Sequence, residues 1–277
     1  MDSSLALSSA TFIYALASVF YIGSFTFKKK VLSRIGFIVL VIGFLSNTVG
    51  IVLRWVESYQ MGYGHAPFAN MYESLVFFSW TVAIIYIFVE LKYKESIIGA
   101  FASPLAFLAI AYASLSPDIS NKISPLLPAL KSNWLIAHVI TCFLGYSGFA
   151  VAFGFSIMYF IKPKNPDATT IFAKLPSWEV IDELTYQMVV FGFLFLTIGI
   201  ITGAVWANSA WGTYWSWDPK EVWSLITWLI YALFMHLRMM RGWYGKKLAL
   251  VSIIGFLAVI FTYFGVNFLL SGLHSYS

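Results

Sequence analysis

The stretch Trp206–Trp228, WANSAWGTYWSWDPKEVWSLITW, lies between two long apolar segments and holds six of the eleven tryptophans in a chain of 277 residues. Tryptophan combines a flat apolar face with one N–H donor. A cluster of tryptophans at a membrane edge is therefore typical of either interfacial anchoring or a surface for a large planar ligand. Both interpretations require that the flanking segments cross a membrane.

The composition supports that requirement, since 60% of the residues are hydrophobic, 19% are aromatic and only 10% are charged. A hydrocarbon core of about 30 Å needs roughly 20 apolar residues per helix. The first apolar run has spanning length and no small-residue cleavage site, so it is interpreted as a helix rather than a secretory signal. The sequence predicts an all-α, polytopic integral membrane helix bundle, with residues 1–277 as a single membrane domain. The eight predicted spans are 6–27, 34–55, 71–91, 96–114, 133–161, 184–206, 219–240 and 248–270.

The basic residues predict the orientation, because positively charged loops stay in the cytoplasm. Thirteen of the seventeen lysines and arginines fall in one set of connections, and only Arg54, Lys122, Lys131 and Lys220 fall in the other. Both termini and the tryptophan-rich stretch are thus expected on the extracytoplasmic side. The net charge of +5 follows from this topology, and no basic patch indicates nucleic acid. The predicted outer loops are 56–70, 115–132 and 207–218, with the tail 271–277.

The few cysteines and histidines narrow the possible chemistry. Cys142 is the single cysteine, so an intramolecular disulfide and a CxxC redox pair are excluded. Among the four histidines, His138 and His274 are predicted near the tryptophan-rich stretch, where two imidazoles on opposite faces of a macrocycle would bind a haem iron axially. His236 is predicted near the inner end of the seventh span, as a functional group or as a packing residue bonded to a carbonyl. His65, in an outer loop beside a proline, needs no ligand.

The WDPKE segment has a simpler structural interpretation. Asp218 is a good N-cap, Pro219 is favoured at the first helical position, and Glu221 completes a capping box for the seventh span. Capping does not explain Trp211, Trp215 and Trp217, which are expected in a loop containing glycine and serine. These tryptophans favour a surface for a planar ligand, and the positive end of the adjacent helix would favour an anionic group such as a haem propionate.

Several motifs in order resemble the CcsA (ResC) family of System II cytochrome c biogenesis, which carries the tryptophan-rich WWD motif. They are GHAPFANMYES at 64–74, SNWLIAHV at 132–139, WGTYWSWDPKEVWSLITW at 211–228, LFMHLR at 233–238 and FGVNFLLSGLHSY at 264–276. The resemblance covers the chain from residue 60 onward, with the haem-handling region at 133–277 and the WWD loop at 206–228. It implies His138 and His274 as axial ligands of an outer haem and His236 as a ligand at a second, intramembrane site.

The same resemblance implies the function. The chain would be the membrane subunit of a cytochrome c synthase that presents haem b, as substrate, on Trp211, Trp215, Trp217 and Trp223, with Asp218 beside them. Its implied partners are a CcsB (ResB) protein, an apocytochrome c with CxxCH, thiol-reducing proteins and the lipid bilayer. The implied location is the bacterial cytoplasmic membrane or a thylakoid equivalent, with the site facing outward. A haem exporter that delivers to a separate lyase is the alternative in the same family, and an unrelated transporter with interfacial tryptophans is a third interpretation. Neither His65 nor Glu73 receives a chemical role.

Overall fold

The computed structural model describes residues 2–126, 130–165 and 170–270 of the chain. Within these residues, eight helices are long and apolar enough to cross a membrane, which confirms the predicted all-α membrane fold. The eighth span runs from the helix Lys246–Ile260 through a π-helical segment, Phe261–Gly265, into the short helix Val266–Leu269. The helices are α1 (Ser3–Phe27), α2 (Lys30–Gln60), α3 (Met71–Tyr93), α4 (Gly99–Leu115), α5 (Asn133–Ile161), α6 (Trp178–Trp211), α7 (Pro219–Arg241), α8 (Lys246–Ile260) and α9 (Val266–Leu269).

Two predicted loops are partly helical, and those parts of the prediction were wrong. Helix α2 continues to Gln60, into the predicted outer loop 56–70. Helix α6 begins at Trp178, where Ser177 accepts the N–H of Val180 at 3.3 Å, and it ends at Trp211. Its 34 residues exceed the roughly 20 that a bilayer core requires, so it tilts or extends beyond the core. Local capping, rather than hydropathy, fixes these helix ends.

The helices group into two compact units, residues 1–131 and 132–277, so that α1 to α4 form the first unit and α5 to α9 the second. The boundary lies between residues 131 and 132, one residue before the start of the haem-handling region that the sequence resemblance implies. The prediction that the whole chain is one membrane domain stays a prediction.

In the first unit, α1 packs against α2 through glycines spaced seven residues apart. Tyr21 lies over Gly36, Tyr14 over Gly43 and Leu7 over Gly50, and an added Cβ at Gly50 would lie 2.4 Å from Leu7 Cδ2. Small residues let helix backbones approach closely, and the resulting van der Waals packing helps to drive helix association in a membrane. The glycine stripe therefore fixes the register of α1 on α2.

A buried ion pair joins α2 to α3 in the same unit. Arg54 Nε lies 2.7 Å from Glu73 Oε1, and the two side chains are 6% and 0% exposed. The other carboxylate oxygen of Glu73 accepts the N–H of Ala69 at 2.7 Å, and the guanidinium stacks on Tyr72. The Glu73 carboxylate thus neutralises the buried Arg54 and also fixes the loop before α3.

In the second unit, glycines on both helices bring α5 and α6 into close contact. An added Cβ at Gly145 would lie 2.9 Å from Leu196 N, and one at Gly192 would lie 2.5 Å from Phe149 Cδ1. Tyr231 of α7 stacks on Phe149, with ring centroids 3.5 Å apart and planes 3° apart. This packing positions α5, α6 and α7 around the site described below.

Candidate functional site

A cavity opens in the second unit where residues 212–218 connect α6 to α7. Its volume is about 120 Å³, below the range of about 300–1,000 Å³ for small-molecule sites, so a larger ligand would occupy it only in part and extend beyond its mouth. Most of its walls are apolar or aromatic. The described lining residues are His138, Val139, Cys142, Phe143 and Tyr146 of α5; Ile200, Gly203 and Ala204 of α6; Tyr214 and Trp215 of the loop; Lys220, Glu221 and Ser224 of α7; and Thr262 and Tyr263 of the π-helical segment.

His138 is held in a fixed orientation by α6. Its Nδ1 lies 2.7 Å from the carbonyl oxygen of Gly199, and the Cys142 thiol lies 3.6 Å from the same nitrogen. A carbonyl oxygen only accepts hydrogen bonds, so Nδ1 carries the proton and donates it. In that tautomer Nε2 carries the lone pair that a metal ion binds, and metal-binding histidines commonly donate their other N–H to a backbone carbonyl.

Close packing restricts the imidazole further. An added Cβ at Gly203 would lie 2.6 Å from His138 Nδ1 and 2.7 Å from its Cε1, so only glycine leaves room for the ring. The buried Trp206 ring lies nearly parallel to the imidazole, with centroids 6.0 Å apart, and Trp211 packs edge-on against Trp206 at 4.8 Å. Trp206 and Trp211 therefore support the histidine from the α6 side.

The loop contributes Trp215 to the cavity wall. Trp217 contacts Trp215 edge to face, with centroids 5.7 Å apart, and its own side chain is 70% exposed. The φ angle of Trp217 is 60°, in the left-handed region that bulky residues rarely adopt. The indole Nε1 of Trp215 is buried and has no acceptor among the described residues. This buried donor, in a cavity wall, is the kind of group that a polar ligand atom satisfies.

The start of α7 confirms the predicted capping box. The Asp218 side chain accepts the N–H of Lys220 at 3.0 Å and that of Glu221, and the Glu221 carboxylate accepts the N–H of Asp218 at 3.2 Å and of Ser216 at 2.8 Å. Lys220, the second residue of α7, lines the cavity. In the sequence, Lys220 served only to predict the orientation of the helices in the membrane. A lysine between the tryptophans and an apolar span was a visible signal that it lies at the site.

Trp223 has a different environment from the loop tryptophans. Its ring packs on Phe261 at 4.1 Å, and its carbonyl accepts bonds from Thr227 at 2.8 Å and from Thr262 at 3.3 Å. It thereby fixes α7 to the π-helical segment, whose Thr262 and Tyr263 line the cavity. Such π-helical insertions occur frequently at functional sites.

The predicted site residues differ in where they lie relative to the cavity. His138 and Trp215 line the cavity, while Trp211, Trp217, Trp223 and Asp218 lie around it outside the described lining. The prediction that Trp211 lies in a loop was wrong, because it is the last residue of α6. His236 is exposed on α7, about 25 Å along the helix from Pro219 at 1.5 Å per residue. His274 lies outside the described residues.

Two residues of the first unit that sequence reasoning left without a role have structural ones. The ring nitrogens of His65 each lie 2.9 Å from a carbonyl oxygen, one of Ala66 and one of Ser124. His65 thus joins two loops of the first unit, and Glu73 neutralises Arg54.

The chain is similar to known proteins in sequence and in fold. Residues 68–274 match the family model described as "Cytochrome C assembly protein". The chain is 39% identical to "Cytochrome c biogenesis protein CcsA" of Guillardia theta, over 97% of this chain and 95% of that relative. It is 36% identical to the protein of the same name from Prochlorococcus marinus, over 100% of this chain and 94% of that one.

Among solved structures, the fold resembles "Cytochrome c Heme Lyase CcmF" with a TM-score of 0.70 at 17% identity. The match covers 95% of this chain and 47% of the lyase, so the chain spans about half the length of that protein.

Proposed function

The chain belongs to the cytochrome c assembly protein family, together with the CcsA proteins, and from that membership we propose that its second unit binds haem for attachment to apocytochrome c. Haem is here a substrate that the protein holds, not a resident cofactor. The observation that carries the proposal is the fixed imidazole of His138, whose Nδ1–H donates to the Gly199 carbonyl in the wall of an apolar and aromatic cavity.

The residues around the cavity fit a haem in three respects. An apolar, aromatic wall suits the porphyrin faces, and the anchored tautomer of His138 provides Nε2 for the iron. The buried N–H of Trp215 provides a donor for a polar edge. His274 is proposed as the second axial ligand, and Trp211, Trp217, Trp223 and Asp218 as the shell that shapes the site.

In this account the protein contributes binding and orientation, while the reactive thiols belong to the apocytochrome. Each thiol of a CxxCH segment adds across one vinyl group, so that sulfur bonds to one vinyl carbon and hydrogen to the other. The chain acts as a subunit of a System II synthase with a CcsB-type partner and thiol-reducing proteins. The site faces the extracytoplasmic side of a bacterial cytoplasmic membrane or its thylakoid equivalent, and haem b is the substrate form.

Substitution of Gly203 by alanine tests the proposed binding site. The new Cβ would lie 2.6 Å from His138 Nδ1, so the ring must leave the Gly199 carbonyl. We expect the wild-type chain, purified in detergent, to bind one haem and Gly203→Ala to bind it roughly tenfold more weakly, as when a partner of a metal-binding histidine is lost. Haem titration followed by absorbance measures both.

Gly192→Ala is the matched control on the same helix. Its Cβ would lie 2.5 Å from Phe149 Cδ1 and 2.9 Å from the Gly145 carbonyl oxygen rather than against His138, so overpacking should cost about 1–3 kcal/mol of stability while the His138 ring keeps its own contacts. Equal haem affinities for Gly203→Ala and wild type, or an equal loss in both glycine variants, would contradict the proposed role of His138.

A haem exporter is the second candidate function, and the position of His236 favours it. An exposed histidine about 25 Å along α7 from the cavity end suits a relay for haem on its way to the cavity. For an exporter, His236→Ala should lower the haem that co-purifies from cells roughly tenfold, while haem added to the purified protein binds normally. Met240→Ala, on the same exposed end of α7, is the control. Normal co-purified haem in His236→Ala would remove the support for a relay.

A further inference from the structure

We propose that the turn between α7 and α8 binds the headgroup of an anionic phospholipid. The turn lies at the end of the second unit where α5 and α7 end and where α6 and α8 begin. This end is about 33 Å along α7 from the cavity, at 1.5 Å per residue. The inference goes beyond the proposed function and does not depend on it, because it uses none of the residues that line the cavity.

An ion pair holds the turn against the start of α6. Arg238 of α7 binds the Asp182 carboxylate, and the other oxygen of that carboxylate accepts the Gly245 N–H at 2.6 Å. The Arg238 guanidinium lies over the Tyr244 ring, 4.3 Å from its centroid. Gly242 and Gly245 have φ angles of 60° and 64°, which glycine adopts readily, and they let the chain reverse. The turn therefore presents its other side chains in a fixed arrangement.

The turn carries three exposed cations, Arg241, Lys246 and Lys247. In the parts of the chain that the structure describes, none of the three lies within 4 Å of a carboxylate oxygen. The Asp182 carboxylate at the same end of the unit is already bound by Arg238 and by a backbone N–H. The turn thus has an excess of positive charge, and such charge at the end of a membrane span attracts anionic lipid headgroups.

Aromatic rings restrain two of these cations. Lys246 Nζ lies 5.7 Å from the centroid of the Phe160 ring, and Lys247 Nζ lies 4.9 Å from the centroid of the Trp243 ring. A cation over an aromatic face is attracted by the ring and is held near it. Because the two lysine side chains are already restrained, they lose less conformational entropy when they bind a headgroup.

Exposed apolar side chains beside the cations favour a lipid over a soluble phosphate. Met239, Met240 and Tyr244 are exposed at the end of α7 and in the turn. Tyrosine and tryptophan are enriched at membrane interfaces, where their amphipathic rings lie at the level of the headgroups. A phospholipid supplies both a negative headgroup for the cations and acyl chains for these apolar side chains. Inorganic phosphate or glycerol phosphate supplies only the charge.

The test compares two phospholipids that share acyl chains and differ in headgroup charge. Phosphatidylglycerol, which is anionic, and phosphatidylcholine, which is zwitterionic, are titrated against the full-length chain in detergent, and native mass spectrometry counts the bound lipids. We expect the wild type to bind phosphatidylglycerol about 100-fold more tightly, because each of three basic residues near an anionic headgroup contributes about fivefold. Arg241→Gln/Lys246→Gln/Lys247→Gln should abolish that preference, whereas Lys246→Arg/Lys247→Arg should keep it. Trp243→Leu, which releases Lys247, should reduce it about threefold.

Lys28→Gln/Lys29→Gln/Lys30→Gln is the matched control. It removes the same charge from the turn between α1 and α2, where the three lysines are exposed, and it should keep the wild-type preference. Equal affinity of the wild type for both lipids, or an equal loss of preference in this control, would overturn the proposal. Displacement of the lipid by soluble glycerol phosphate at the same concentration would overturn the lipid as the ligand. Thermal unfolding of each variant without added lipid, at the wild-type temperature, shows that the variant is folded.

Discussion

Replacing His138 by alanine is expected to abolish cytochrome c maturation in cells that depend on this chain. The substitution removes the imidazole that the Gly199 carbonyl orients in the cavity wall. Loss of the hydrogen-bond partner of a metal-binding histidine already lowers metal affinity or activity about 10–100-fold. Loss of the histidine itself should therefore lower cytochrome c maturation at least about 100-fold. Haem-stained cytochrome c, normalised to the amount of the variant in the membrane, measures the effect.

Cys142→Ala is the control for that experiment. The Cys142 thiol lines the same cavity and lies 3.6 Å from His138 Nδ1, but the ring is oriented by the Gly199 bond instead. Maturation should stay within about threefold of wild type, since a thiol is only a weak hydrogen-bonding group. Near-normal maturation by His138→Ala at a normal protein level would refute the assignment of His138 as an iron ligand.

The second large effect is expected in the first unit, where Glu73→Leu leaves the buried Arg54 guanidinium without its counter-ion. The carboxylate lies 2.7 Å from Arg54 Nε, and its side chain is fully buried. Removing one partner of a buried ion pair typically costs 3–5 kcal/mol, since a buried charge stays uncompensated. Thermal unfolding in detergent should therefore show a large loss of stability.

The double variant Arg54→Met/Glu73→Leu separates charge from packing. Replacing both partners by apolar residues is often neutral, so most of the lost stability should return. A residual loss of about 1 kcal/mol is expected, because the Ala69 N–H loses its bond to Glu73. Equal destabilisation of the single and double variants would show that packing, rather than the buried charge, explains the effect.

Sequence reasoning predicted the spans well because apolar length is a direct physical requirement of the bilayer. Helix α5 runs from Asn133 to Ile161 as predicted, and α7 begins at Pro219 behind its Asp218 cap. The ends of α6 were missed, because hydropathy falls off before the helix does. Ser177 and Gly212, which cap α6, are local signals that the sequence contains but that hydropathy ignores.

The cavity was less predictable, because its walls depend on which helix faces pack together. Trp223 and Trp215 looked equivalent in the sequence, yet one packs on Phe261 and the other lines the cavity. The position of the His138 ring depends on Gly199 and Gly203, which lie some sixty residues away along the chain. The spacing of the α6 glycines is visible in the sequence, but the helix against which they pack could not be deduced from that spacing alone.

In the proposed function, His138 binds the iron of a haem at this cavity. The most direct test is the absorption spectrum of the purified chain with haem, as wild type and as His138→Gly, before and after addition of free imidazole. We expect the low-spin spectrum of an imidazole-bound haem in the wild type, its loss in the glycine variant, and its return when imidazole fills the vacated space. A His138→Gly spectrum identical to the wild type without added imidazole would contradict the claim.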